Sequence, residues 1–207
     1  MKERGVTFTG EEVRAFLAGT KTQMRRIIKP RHATNTGFEY VTFSRNNPDE
    51  FRNGWYDNFN NFYHCPYPIG TRIWVKETWH KCTTLNHGGY CYRADSSHAL
   101  PVRWKPSTHM LRSSSRITQL VTDVRVQRVQ DISEEDAMAE GVQLKVNANG
   151  YAMIDAGSSF SPLNYVEPGQ ECTRRAHFAA LWDSYHGIGA WTLNQWVFAY
   201  TLKEVTI

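Results

Sequence analysis

Residues 196–202, Trp-Val-Phe-Ala-Tyr-Thr-Leu, form a nearly continuous apolar run of strand length. Such a run reads as a central strand, so the rest of the chain must supply a neighbour on each of its edges and cover for both of its faces. Other segments meet that demand. Residues 71–79 alternate as a strand, with Ile73, Val75, Glu77 and Trp79 on one face. Residues 117–129 are long and β-rich, with Leu120, Thr122, Val124 and Val126 sharing a face. Short strands are expected at 6–8 and 91–93. No regular helical crossover separates these strands, which disfavours a parallel doubly wound sheet. The expected class is α+β: a small, mostly antiparallel barrel decorated by about three helices.

The helices have clear punctuation. Thr9 and Glu12 form a capping box, Val13, Phe16 and Leu17 fall on one face, and Gly19 follows as a C-terminal stop. A second helix starts at the N-cap Ser133, carries acids in its first turn and stops at Gly141. A third runs from Thr173 to about Tyr185, with Phe178, Leu181, Trp182 and Tyr185 at helical spacing. Residues 31–68 are rich in Asn and aromatics without a sustained period, closing in a turn at Tyr67-Pro68-Ile69-Gly70; residues 143–172 are also irregular. A chain of 207 residues suits one sizeable core. The expectation is a single domain over 1–207 with insertions at about 31–66 and 143–172.

Composition narrows the function classes. Aromatics are 13% of the chain, with seven Trp, ten Tyr and ten Phe, more than one core needs, so some are expected as stacking or interface surfaces. The formal charge of +4 suits a polyanionic partner without demanding one. The polar residues 1–5 lack a following apolar stretch, and nothing approaches the roughly 20 apolar residues of a membrane span, so a cytoplasmic protein with no membrane contact is expected. Cys65, Cys82, Cys91 and Cys172 are irregularly spaced and are expected as free thiols. His64-Cys65 and His80-x-Cys82 do not match a zinc-finger spacing, so no metal and no cofactor are expected. The absence of GxSxG, Walker A and GxGxxG patterns disfavours α/β-hydrolase and nucleoside-triphosphate chemistry.

Four constellations carry chemistry. Lys21, Arg25, Arg26 and Lys29 lie at the exit of the first helix; if extended, Lys21, Gln23 and Arg25 point one way and Thr22, Met24 and Arg26 the other. Such cations suit phosphate or carbonyl oxygens, or form a solvated basic edge. Glu77 lies on a buried strand face and therefore needs a partner, for which Lys21, Arg25 or Arg26 are candidates. Glu140 sits at a helix C-terminus, against the dipole, where a nearby cation would hold it for general acid or base work. The stretch with Trp104, Ser107, His109, Arg112 and Arg116 mixes aromatic, hydroxyl and basic groups, as a loop stacking on a base and gripping phosphate would. Each also has a plain structural reading.

Taken together, these residues resemble the ASCH-domain family. Residues 19–26, Gly-Thr-Lys-Thr-Gln-Met-Arg-Arg, are similar to its Gly-x-Lys-Thr-x-Thr-x-Arg signature. The resemblance continues through Gly70, residues 73–79, Trp104 to Ser107, His109-Met110, Ser115 to Ile117, Asp131 to Ser133, Ala139 to Gly141 and the strand at 196–200. It implies a PUA-like barrel, a cleft between the first helix and the barrel, and a ligand that is RNA or a nucleoside. The longer proteins of this kind are often encoded by bacteriophages and prophages, which implies a bacterial host cytoplasm.

In this reading Lys21, Arg25, Arg26 and Arg116 contact phosphate or carbonyl oxygens, Glu77 orients the cations, and Trp79 or Trp104 stacks on a base. One branch of the family hydrolyses the amide of N4-acetylcytidine, and its Lys, Thr and Glu fall on Lys21, position 24 and Glu140. Position 24 is Met24, and a thioether cannot attack an amide. Thr22 lies about 7 Å away along an extended chain. The alternative activity is therefore amide hydrolysis with Lys21 and Glu140 activating water. A third is action on a host protein through the aromatic-rich insertion.

Overall fold

The computed structural model describes residues 2–29, 54–56, 62–82, 89–95, 102–143 and 173–205; most of both expected insertions lies outside them. Five strands, β1 (Glu3–Thr7), β2 (Gln23–Ile27), β5 (Arg72–Lys76), β8 (Thr118–Arg128) and β9 (Trp196–Glu204), form one sheet in the order β1-β5-β8-β9-β2. Two hairpins stand apart: β3 (Gly54–Tyr56) with β4 (Phe62–His64), and β6 (Trp79–Lys81) with β7 (Tyr90–Tyr92). The helices are α1 (Gly10–Leu17), α2 (Glu134–Ala139) and α3 (Arg174–His186). The fold is mixed α+β. No helix among the described residues is long and apolar enough to cross a membrane.

The apolar run lies where its composition demands. β9 is flanked by β8 and β2, and Val197, Phe198, Ala199, Tyr200 and Leu202 are all buried. One core cluster joins α1 (Val13, Phe16) to the sheet through Val6, Phe8, Met24, Ile73, Val75 and Tyr200. A second packs α2 and α3 through Val129, Ile132, Ala137, Phe178, Trp182 and Val197. The expected capping box is present, with Glu12 N donating to Thr9 Oγ1 and Thr9 N to Glu12 Oε2. Gly19 follows α1 at φ 71°, a conformation that costs glycine little.

Several expectations are corrected. The sheet is open, not a closed barrel: β1 and β2 are its edges among the described residues. β1 also runs parallel to β5, while the other pairings in the sheet are antiparallel. Residues 71–79 keep their alternation, with Thr71, Ile73, Val75, Glu77 and Trp79 all buried, but the strand breaks after Lys76 and its end joins the β6–β7 hairpin. In β8 the pairing shifts between Val121 and Asp123, so Thr122 is an extra residue that reverses the parity of the strand. Val121 is therefore fully buried, Val124 and Val126 pack on the same core, and Thr122 is exposed. Leu17, expected inside, is 50% exposed. The first insertion ends in structure, because Cys65 is fully buried against Tyr200.

Candidate functional site

The basic segment leaves α1 and enters β2, the edge strand paired with β9. Pairing with β9 fixes its pleat, so Gln23 and Arg25 point to one side and Met24 to the other. Met24 is buried in the core, 1% exposed. Lys21 forms a bridge with Glu140, the C-cap residue of α2, and Thr22 N donates to Ala139 O at 2.7 Å. The next residue, Gly141, has φ 90°, and a Cβ there would lie 2.8 Å from Ala15 Cβ and 3.3 Å from Lys21 Cβ. Only glycine lets the end of α2 come this close to α1 and Lys21.

That approach builds a buried ionic network. Lys21 Nζ donates to Glu140 Oε2 at 2.7 Å and to Glu140 O at 2.9 Å, with Glu12 Oε1 at 3.5 Å. Arg25 Nη1 donates to Glu140 Oε1 at 2.8 Å and to Gln23 Oε1 at 3.2 Å, and Arg25 Nη2 to Asp136 Oδ2 at 2.8 Å. Gln23 Nε2 and Arg125 Nη2 complete the shell of Asp136. Lys21, Arg25 and Glu140 are all buried. Burial alone would raise the Glu140 carboxyl, but Lys21 and Arg25 outweigh it and hold the group below its ordinary value. The cations expected to be free for phosphate are thus largely neutralised from within.

Above the network lies a cleft lined on one side by Glu12, Lys21, Arg25, Arg26 and Glu140 and on the other by α3. The α3 wall is Phe178, Leu181, Trp182, Tyr185 and His186. Trp182 and His186 have ring centroids 4.2 Å apart, and the Arg25 guanidinium lies 5.7 Å from the Phe178 centroid. Burial and the charge of Arg26 push His186 below its ordinary value, so it is neutral near pH 7. Tyr185 is pushed up to about 12 by burial, against its hydrogen bond to Thr9 and aided by Glu12, Glu11 and Glu140. Two buried donors of cleft-lining residues, Arg25 Nε and Trp182 Nε1, have no acceptor among the described residues.

The other sequence candidates divide away from this cleft. Thr22 is exposed, on the far side of the strand from Lys21 and Arg25, so it does not join the network. Glu77 is buried and pairs with none of the three expected cations. Its partner is Arg116, which donates to Glu77 from Nε at 2.9 Å and Nη2 at 3.0 Å and also binds Asp95 at 2.7 and 2.8 Å. Burial pushes the Glu77 carboxyl up, with Arg116 pulling against it. Arg116 lies 4.0 Å from the Tyr92 ring centroid, a structural tie between β5, β7 and the residues before β8.

Trp79 is buried, 5% exposed, between Tyr90 and the Lys105 ammonium, so it is not free to stack on a base. Arg112 binds Glu3 at 3.0 Å. Trp104, Ser107 and His109 lie in or beside short turns and do not line the cleft. Sequence reasoning missed Asp136 and the α3 wall. Trp182 and His186, four residues apart on one helix face, were the available signal for the latter. Compared with known proteins, the chain matches no family model, no curated protein and no solved structure.

Proposed function

We propose that the protein binds a nucleoside, free or within RNA, in the cleft between α1 and α3. The observation that carries this reading is a pair of buried N–H donors without acceptors among the described residues, Arg25 Nε and Trp182 Nε1, on residues lining one aromatic-walled cleft. An unpaired buried donor costs about 1–3 kcal/mol, which a carbonyl oxygen of a planar base recovers once the two shielded side chains turn toward the cleft. His186, exposed beside the buried Trp182, supplies ring surface for such a base, and Arg26 at the cleft offers a charge to a sugar oxygen or phosphate. The resemblance to ASCH-domain proteins, whose ligands are RNA or nucleosides, agrees with this reading. With most of its cations already paired, the cleft favours a nucleoside over a long stretch of backbone.

Amide hydrolysis of an N-acylated cytidine is the second reading, favoured by the 2.7 Å Lys21–Glu140 contact beside the cleft. It has no side-chain nucleophile, because Met24 faces the core and Thr22 faces away, and so depends on an activated water. Glu140, tied by two cations, is also a weak base. The test is titration with cytidine and N4-acetylcytidine while the indole N–H of Trp182 is followed by NMR. Binding should shift that resonance downfield. No change with either nucleoside at millimolar concentration would overturn the proposal, and chromatography of the same samples for released cytidine decides the hydrolase reading.

A further inference from the structure

Residues 72–116 hold eight Lys and Arg against two carboxylates, Glu77 and Asp95. The excess of six is larger than the net charge of the whole chain, +4, so the rest of the protein is slightly acidic. Both carboxylates are also spent on one guanidinium, that of Arg116. Arg72 and Arg112 share Glu3, whereas Lys76, Lys81, Arg103 and Lys105 have no carboxylate within 4.0 Å among the described residues.

Part of this segment forms one surface. Trp79 and Lys105 exchange main-chain hydrogen bonds at 3.2 and 2.8 Å, attaching residues 103–109 to the β6 strand. His80 Nδ1 lies 3.1 Å from Arg103 O, and the His80 and Trp104 rings meet edge to face at 6.5 Å. On β5, whose even-numbered residues face away from the core, Lys76 donates to Thr108 O at 2.8 Å and lies 5.4 Å from the Trp74 ring centroid. Lys81, Arg103 and Lys105 are exposed, and none has a carboxylate within 4.0 Å among the described residues. Trp74, His80 and Trp104 are half-buried among them.

We infer that this face, made by β5, β6 and residues 103–109, binds single-stranded nucleic acid, with Lys81, Arg103 and Lys105 on phosphates and a base stacked on Trp104. The inference goes beyond the cleft and does not depend on it. Unpaired cations interleaved with aromatic ring surface fit a strand whose bases are unstacked, since a duplex offers no base face to Trp104. None of these residues lines the cleft.

The experiment measures anisotropy of a fluorescein-labelled 12-nucleotide strand, as RNA and as DNA, from 50 to 300 mM salt. Loss of three phosphate contacts in the Lys81→Ala, Arg103→Ala, Lys105→Ala triple variant should flatten the log–log salt slope by about 2. Trp104→Ala should weaken binding about tenfold and leave the slope unchanged. Equal affinity for the two strands, or preference for RNA through its 2′-hydroxyl, each agrees with the inference. A wild-type protein that binds neither strand at 50 mM salt and micromolar protein overturns it, as does duplex binding as tight as single-strand binding. So does a triple variant with an unchanged slope. Titrating the triple variant with cytidine separates the two ideas: intact nucleoside binding with lost strand binding isolates this face. Lys21→Met abolishing strand binding while the triple variant does not would put the strand in the cleft.

Discussion

Replacing Glu140 with Gln keeps the shape of the side chain and removes its charge, leaving Lys21 and Arg25 buried beside an amide. Glu140 accepts from Lys21 at 2.7 Å and from Arg25 at 2.8 Å. An amide oxygen can retain one of these donors, but its NH2 group then faces the other cation. Breaking a buried ion pair by removing one partner costs about 3–5 kcal/mol. Glu12, 3.5 Å from Lys21, and Asp136, 2.8 Å from Arg25, still offset part of the exposed charge. The expected loss is therefore near the lower bound, about 3 kcal/mol. With a urea m-value of about 2 kcal/mol/M, the unfolding midpoint should fall by about 1.5 M while m stays constant. Adding Lys21→Met removes the uncompensated ammonium, so the double variant should be more stable than the sum of the single losses by at least about 1.5 kcal/mol. A Glu140→Gln protein within about 1 kcal/mol of wild type would refute the network as a stabilising unit. Simple additivity in the double variant would do the same.

The same carboxylate sets an acid limb. Because its folded pKa lies below the ordinary 4.5, its contribution is complete above that value and is lost as pH falls through the folded pKa. Urea midpoints measured between pH 6 and 3 should fall more steeply in wild type than in Glu140→Gln, and parallel curves would contradict the assignment. His186 should titrate below its ordinary 6.5 in an NMR pH series, and Arg26→Ala should move it upward by removing a nearby positive charge. A His186 midpoint above 6.5 in wild type would show that neither burial nor Arg26 acts on the ring.

Much of the scaffold was legible in the chain because local rules decided it. The capping box at Thr9 and Glu12, the stop at Gly141 and the alternation of residues 71–79 are short-range patterns that tertiary packing did not overrule. The parity of β8 was not legible. One inserted residue at Thr122 reverses which side chains face the core, and nothing in the sequence there separates a bulge from a regular strand. Glu77 was correctly placed inside by its strand face. Its partner was misjudged because Arg116 is distant in sequence and reaches it only through the fold.

The chain by itself determined that β9 is central, that Lys21 and Arg25 share a strand side, and that Met24 holds the position opposite them. Those facts follow from apolar content and from a pleat of period two, which act over a few residues. Only the tertiary structure decided that Glu140 lies against both cations, that α3 walls the cleft above them, and that Trp79 is covered while Trp104 is half-exposed. Each depends on which distant elements pack together. The close approach at Gly141 and the parallel pairing of β1 with β5 are set by the whole core, not by any local run of residues.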